Sequence, residues 1–258
     1  LYKIYPKTFF VGQIVQYLPS CQSTNDEAAT LIAQSDPAEG TLVVTDQQTA
    51  GRGQRGNHWE AQSGQNLTCS LILYPTFLRA TEQFWLNMAI SLGIHDTLHP
   101  LLGDQATALR VKWPNDVYVG NQKMGGILIE NSLQGYQLAT SIIGMGLNIN
   151  QTQFTYSTAT SLQQQAPLPD GYDLPGFLGK LCESIEARYL QLRSGQREAL
   201  RIAYLQLLYR YQEEALYEAE GRRFRGIITD VDETGRLVIV ENGRQRVFAF
   251  KEVSFIIE

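Results

Sequence analysis

The sequence predicts an α+β fold: a mixed or antiparallel sheet with helices, followed by a small β-barrel-like module. Three observations lead there. Strand-like segments cluster ahead of helix-like ones, most of those strands are neighbours in the chain, and after residue 211 the pattern changes to short alternating strands parted by turn residues. A chain of 258 residues can enclose one sizeable core and still leave a small second domain, delimited as 1–214 for the body and 215–258 for the module.

Segments 41–45 and 66–74 are rich in Val, Ile, Thr and Tyr and bounded by Gly, Asn or Pro, so they read as strands, with a glycine-rich loop between them. Further strands are expected at 108–112, 117–119, 126–131 and 136–145, with Gly120-Asn121 as a turn between the second and third of these. Helical spacing runs through Trp85, Met88, Ala89 and Leu92, then Leu174, Phe177, Leu178, Leu181, Ile185, Tyr189 and Leu192, then Leu200, Ala203, Tyr204, Leu207 and Leu208. The polar stretch 151–173, with Pro167, Pro169 and Gly171, reads as a loop. In the module, strands at 224–231, 236–241, 247–250 and 253–257 are separated by the hairpin signals 232–235 and Asn242-Gly243.

Composition narrows the function classes. Apolar residues make up 43% and charged residues 18%, and no run approaches the roughly 18 apolar residues of a membrane span. With no apolar signal segment at the start, a soluble cytoplasmic protein is expected. A net charge of −5 argues against phosphate-backbone binding, and the module is no more basic, with seven Lys and Arg against eight Asp and Glu over 216–258. Cys21, Cys69 and Cys182 are odd in number and far apart, which suggests small buried hydrophobes and neither a disulfide framework nor a thiolate metal site.

Four segments could carry chemistry. In Gln48 to Trp59, three glycines let backbone N–H groups approach a phosphate while Arg52 and Arg55 pair with its oxygens; a plain solvated turn fits the segment equally. Lys112 and Lys123 bracket a turn at Asn115-Asp116; alternatively, Lys123 is a solvated edge-strand lysine. Ser23-Thr24-Asn25 offers hydroxyls and an amide at a helix start suited to a neutral polar ring, although Thr24 and Glu27 are also spaced as a capping box. Gly144 to Asn148 ends a strand, as a turn or as a nucleotide contact. His95 and His99 lack the partners of a metal site, His58 is weak as a base, and no nucleophile triad is apparent.

Taken in order, Ser23-Thr-Asn25, Gln48 to Gly56 with Trp59, Lys112 to Asp116, Lys123 to Glu130 and Gly144 to Asn148 resemble the biotin protein ligase family in identity and spacing. The resemblance implies a catalytic domain related to class II aminoacyl-tRNA synthetases and an SH3-like C-terminal domain. It implies that biotin is adenylylated with ATP and Mg²⁺, then passed to a lysine of a biotin carboxyl carrier protein. By matching positions, Ser23, Thr24, Asn25 and Gln48 would hold the ureido ring, Lys123 the carboxyl end, and Arg52, Gly53 and Gln54 the adenylate. Arg55 and Gly126 would support them, with Trp59, Asn115, Asp116 and Asn148 on the nucleotide side. Arg52, Lys123 and Lys112 would be the catalytic cations, while the metal ligands stay unassigned.

Two departures from the family pattern matter. Some members carry arginine where this chain has Gln54, which puts more of the loop's closure on Arg52 and Arg55. Ser23 lies close to the N-terminus, so a ligase without a DNA-binding domain is expected, with a homodimer left open. The rival readings are a lipoate or octanoate transferase of the same fold, a biotin-responsive DNA-binding regulator, and a silent binding module.

Overall fold

The computed structural model describes residues 2–53 and 59–256. A seven-stranded mixed sheet forms the body, with strand order β1 (Val15–Cys21), β2 (Leu42–Gln48), β3 (Leu67–Leu73), β7 (Gln137–Leu147), β6 (Gln122–Gln134), β5 (Asp116–Val119) and β4 (Leu109–Lys112). Only β1 and β2 run parallel; the other neighbours are antiparallel.

Strand β3 reads Leu-Thr-Cys-Ser-Leu-Ile-Leu and is buried along its whole length, as a central strand covered on both faces must be. Leu67, Cys69, Leu71 and Leu73 face a helical layer of α2 (Gln83–Leu98), α4 (Leu174–Arg193) and α5 (Arg197–Leu207). Helix α2 is apolar nearly all round because it lies between the sheet and α4. Gly93 permits that close crossing: a Cβ there would stand 2.8 Å from Ile185 Cα. Ile72 points to the opposite face, where α1 (Thr24–Ser35) rests on a small cluster with Ala28, Val43 and Ile142.

The C-terminal module is a five-stranded antiparallel sheet, ordered β11 (Arg244–Phe248), β10 (Leu237–Glu241), β9 (Arg222–Val231), β8 (Glu214–Ala219) and β12 (Ser254–Phe255). Its buried Tyr217, Phe224, Ile228 and Phe248 belong to the same apolar cluster as the body's core. Trp113 Nε1 donates to Gly235 O at 2.9 Å, and Tyr204 OH donates to Pro114 O at 2.9 Å, so module and helices both grip the β4–β5 turn.

The structure departs from the sequence expectations in places. Strand β1 is not predicted because Pro19 interrupts it; proline is tolerated there because β1 is an edge strand with a single neighbour. Strand β8 is likewise unpredicted, and its Glu220-Gly221 turn to β9 has both residues at positive φ. The stretch 151–173 includes one helical turn, α3 (Leu162–Gln165), capped by Ser161. Cys69 and Cys182 are buried as expected, but Cys21 is only partly so. Among the described residues no helix is long and apolar enough to cross a membrane.

Candidate functional site

Helix α1 covers only part of its face of the sheet. Beyond its first turn, side chains pointing the same way as Ile72 and Ile142 are small: Thr68 and Ser70 on β3, Gly144 and Gly146 on β7, Gly126 on β6. Ser70 pairs with Gly144 and Leu128 with Gly144 in one row; Thr68 and Gly126 both pair with Gly146 in the next. This floor of small residues leaves a cleft of about 180 Å³.

Three walls rise around it. The start of α1 contributes Ser23, Thr24 and Asn25; the loop after β2 contributes Gln48, Arg52, Gly53 and Trp59; the β4–β6 segment contributes Trp113, Pro114, Asn115, Asp116 and Lys123. Phe250 of the C-terminal module closes one end. A second cavity, of about 410 Å³, opens on the far side of Trp113 and Phe250 toward Asn87 and Asn131.

The helix start is organised for something other than capping. Ser23 is the N-cap, and its side chain makes no cap hydrogen bond, so the expected Thr24–Glu27 capping box does not form. Thr24 N–H donates to Gln48 Oε1 at 2.8 Å, and its hydroxyl lies 2.7 Å from the fully buried Ser70 Oγ. Asn25 Nδ2 donates to Glu130 Oε2 at 2.6 Å, while Asn25 Oδ1 accepts from Ser70 at 2.6 Å. Gly144 makes this seat possible, because a Cβ there would overlap Asn25 Oδ1.

Two cations line the cleft, Arg52 on the loop after β2 and Lys123 on β6. Arg52 Nη2 lies 2.5 Å from Asp26 Oδ1 and 3.6 Å from Glu130 Oε2, with the side chain about half exposed. Lys123 Nζ pairs with Asp116 Oδ1 at 2.7 Å and stands 5.8 Å from the Trp59 ring centre. The pair fits because Gly126 lacks a side chain: its Cβ would be 3.3 Å from both charged atoms. Trp59 packs on Gly146, and its indole N–H is buried with no hydrogen-bond partner among the described residues. Asn115 donates from Nδ2 to Ile127 O at 3.0 Å, which fixes the turn that carries Asp116.

Two of the expected residues do not line the cleft. Lys112 pairs in register with Asp116, but its ammonium turns to Tyr118, 3.2 Å from the hydroxyl and 4.6 Å from the ring centre, and lies 5.2 Å from the Phe255 ring centre. Burial there lowers its pKa below the ordinary lysine range. Asn148 is buried below β7, where Nδ2 donates to Thr160 O at 3.0 Å and its N–H to Met124 O at 2.8 Å. Gln54, Arg55, Gly56 and His58 lie outside the described residues.

The sequence reading does not single out Thr68 or Phe250 as lining residues, nor Glu130 as a partner of both Asn25 and Arg52. Phe250 gave no local signal, since its place depends on how the module docks. A signal for the floor was present in the two-residue spacing of Gly144 and Gly146 inside a strand. No group of three His, Cys, Asp or Glu able to hold a metal occurs among the described residues.

Chemically, the cleft combines buried hydrogen-bonding groups at the start of α1 with two cations, Arg52 and Lys123, each held by carboxylates. That combination suits a ligand with a neutral polar head and an anionic tail.

The chain is 36% identical over 191 residues to the bifunctional ligase/repressor BirA of Bacillus subtilis, an alignment covering 71% of this chain and 56% of that one. It is 28% identical over 235 residues to the biotin–[acetyl-CoA-carboxylase] ligase of Mycobacterium tuberculosis, covering 90% of this chain and 85% of the relative. The chain thus spans 56% of the length of the Bacillus relatives it matches. The fold is that of the biotin protein ligase from Aquifex aeolicus solved with biotin and ATP, with a TM-score of 0.77 at 22% identity, covering 95% of this chain and 100% of that one. Residues 17–148, which hold most of β1, all of β2 to β7 and every cleft residue except Phe250, match one family model, and on that match the chain belongs to the biotin/lipoate A/B protein ligase family.

Proposed function

We propose that the chain is an ATP-dependent biotin protein ligase. One observation carries the reading: Arg52 and Lys123, from separate stretches of sequence, share a cleft with the hydrogen-bonding start of α1. Biotin has a ureido ring at one end and a carboxylate at the other, and the cleft offers donors and acceptors for the first and cations for the second.

In this reading Ser23, Thr24, Asn25 and Gln48 take the ring, and Trp59 and the glycine floor pack on its faces. Lys123 holds the carboxylate against the α-phosphate of ATP, while Arg52, with Gly53, Gln54 and Arg55, encloses the adenylate. The carboxylate oxygen attacks the α-phosphorus, the bond to the bridging oxygen breaks, and pyrophosphate leaves with that electron pair. A lysine amine of a biotin carboxyl carrier protein then attacks the acyl carbon, loses a proton, and expels AMP. The residues act by positioning and by neutralising charge that gathers where two anions meet. Mg²⁺ enters with the triphosphate as part of the cosubstrate. Lys112 acts from behind Asp116, and Asn115, Asp116 and Asn148 shape the nucleotide side.

The same reading takes the body as class II synthetase-like and residues 215–258 as an SH3-like domain, which the five short antiparallel strands support. It places the protein in the cytoplasm. Relatives named as biotin ligases, and folds solved with biotin and ATP or with biotinylated ATP, support the substrate assignment. The polar groups at the start of α1 favour biotin over lipoate, whose apolar ring has no donor or acceptor to match them.

The test is ATP–pyrophosphate exchange run with biotin and then with lipoate, followed by transfer to a biotin carboxyl carrier domain read with an avidin blot. Exchange with biotin alone, and a labelled carrier, are the expected results. Exchange that depends on lipoate, or no exchange with either, overturns the reading.

A further inference from the structure

We infer that Glu130 is a positioning residue that fixes the direction of the hydrogen bonds under the cleft, and so makes Thr24 Oγ1 an acceptor for a ligand N–H. The inference rests on the proposed biotin-binding role of this cleft and adds a determinant of specificity beneath it. Glu130 is not among the cleft-lining residues, and its side chain is 43% exposed.

A carboxylate only accepts, so the 2.6 Å contact between Glu130 Oε2 and the Asn25 side chain must come from the amide nitrogen. That leaves Asn25 Oδ1 facing Ser70, and this oxygen has no proton to give. Ser70 lies 2.6 Å from it and 2.7 Å from Thr24 Oγ1, with one proton for the two contacts. The proton goes to Asn25, because Thr24 has a proton of its own to offer in return. Thr24 therefore donates to Ser70.

The Thr24 hydroxyl has one other protein acceptor for its proton, and it is the weaker one. Gln48 Oε1 is 3.2 Å away, farther than Ser70, and already accepts the Thr24 backbone N–H at 2.8 Å. With its proton directed inward, Thr24 Oγ1 presents lone pairs to the cleft it lines. A ring N–H is welcomed at that point, and a ring oxygen or N-methyl group is rejected. Arg52 Nη2, 3.6 Å from the same Glu130 oxygen, reinforces the carboxylate at the head of the chain. Leu128 O, 3.4 Å from Asn25 Nδ2, is a more distant second acceptor on that side; if Asn25 were flipped, acceptors would face each other at Glu130 and at Leu128, and the polarity of the whole row would be free to reverse.

The experiment compares wild type with Glu130→Ala, Glu130→Gln and Ser70→Ala. Calorimetry without ATP gives the Kd for biotin and for a ring N-methylated biotin, and pyrophosphate exchange gives the KM for ATP. Glu130→Ala and Ser70→Ala are each expected to weaken biotin by about tenfold, as for a lost buried hydrogen-bond partner. The N-methylated analogue should bind wild type poorly and the variants no worse, with the KM for ATP unchanged within about twofold. Glu130→Gln keeps an acceptor for Asn25 and should restore biotin binding. Ser70→Ala keeps the test open if Glu130→Ala does not fold. Unchanged biotin binding in the alanine variants, or equal losses for biotin, analogue and ATP, overturns the inference while leaving the ligase reading in place. Failure of wild type to bind biotin overturns both.

Discussion

The indole of Trp59 lies on the bare α-carbon of Gly146: a Cβ there would stand 2.5 Å from Cε2 and 2.7 Å from Nε1. Backbone cannot retreat in the middle of a seven-stranded sheet, so the tryptophan would have to move. Gly146→Ala should therefore shift Trp59 emission and weaken biotin binding by about tenfold or more, with little loss of stability. Fluorescence and calorimetry on the purified variant check both. An unmoved emission spectrum with normal binding would show that the contact is incidental.

Arg52 is held by Asp26 and Glu130 at the cleft mouth, within reach of any anion bound there. Arg52→Ala should leave pyrophosphate exchange measurable but release activated biotin about tenfold faster or more, since a charge-assisted contact to the adenylate is lost. Labelling of bystander lysines in a mixture with an unrelated protein reads that release, and unchanged labelling would count against the role.

Lys112 gives a pH-dependent prediction. Its pKa is lowered chiefly by burial, from an ordinary value of 10.5, so the folded chain gives up this proton at a lower pH than the unfolded chain does. Between those two values the unfolded state binds more protons, and stability rises with pH. Lys112→Met should thus be the more stable protein at pH 7, with the gap narrowing as pH approaches 10.5. Urea midpoints of both proteins at pH 7 and pH 10 check the sign.

Glu186 is 4% exposed and accepts from the backbone N–H groups of Phe9, Phe10 and Val11 at 2.7, 2.8 and 3.0 Å. It pins the N-terminal segment to α4. Glu186→Ala leaves those donors without their partner, and we expect a loss of about 2–3 kcal/mol in urea unfolding. Glu186→Gln, which keeps one acceptor oxygen, should lose less.

Much of this was legible in the sequence because it depends on local pattern. The α+β class, the helix starting at residues 23–24, and the turns at Gly120-Asn121 and Asn242-Gly243 all follow from period and from turn chemistry. The cations of the cleft could be named from the motifs that hold them. The parts that were hidden depend on three-dimensional neighbours. Nothing in Lys112 itself says that Tyr118 and Phe255 will take its ammonium, since Phe255 comes from another sheet. Asn148 resembles a ligand contact by motif, yet it lies outside the cleft lining and its amide nitrogen donates to Thr160 O, a partner set by how a loop returns. Strand β1 escaped notice because an edge position forgives the proline that sequence patterns penalise.

The hydrogen bond from Trp113 to Gly235, with Phe250 at the end of the cleft, ties the last forty-odd residues to the chemistry. Cut away, this appendage would leave an indole proton stranded and one side of the chamber open to water. Domain shuffling at this joint is therefore constrained: a replacement tail must supply a carbonyl and an aromatic ring at the same two places.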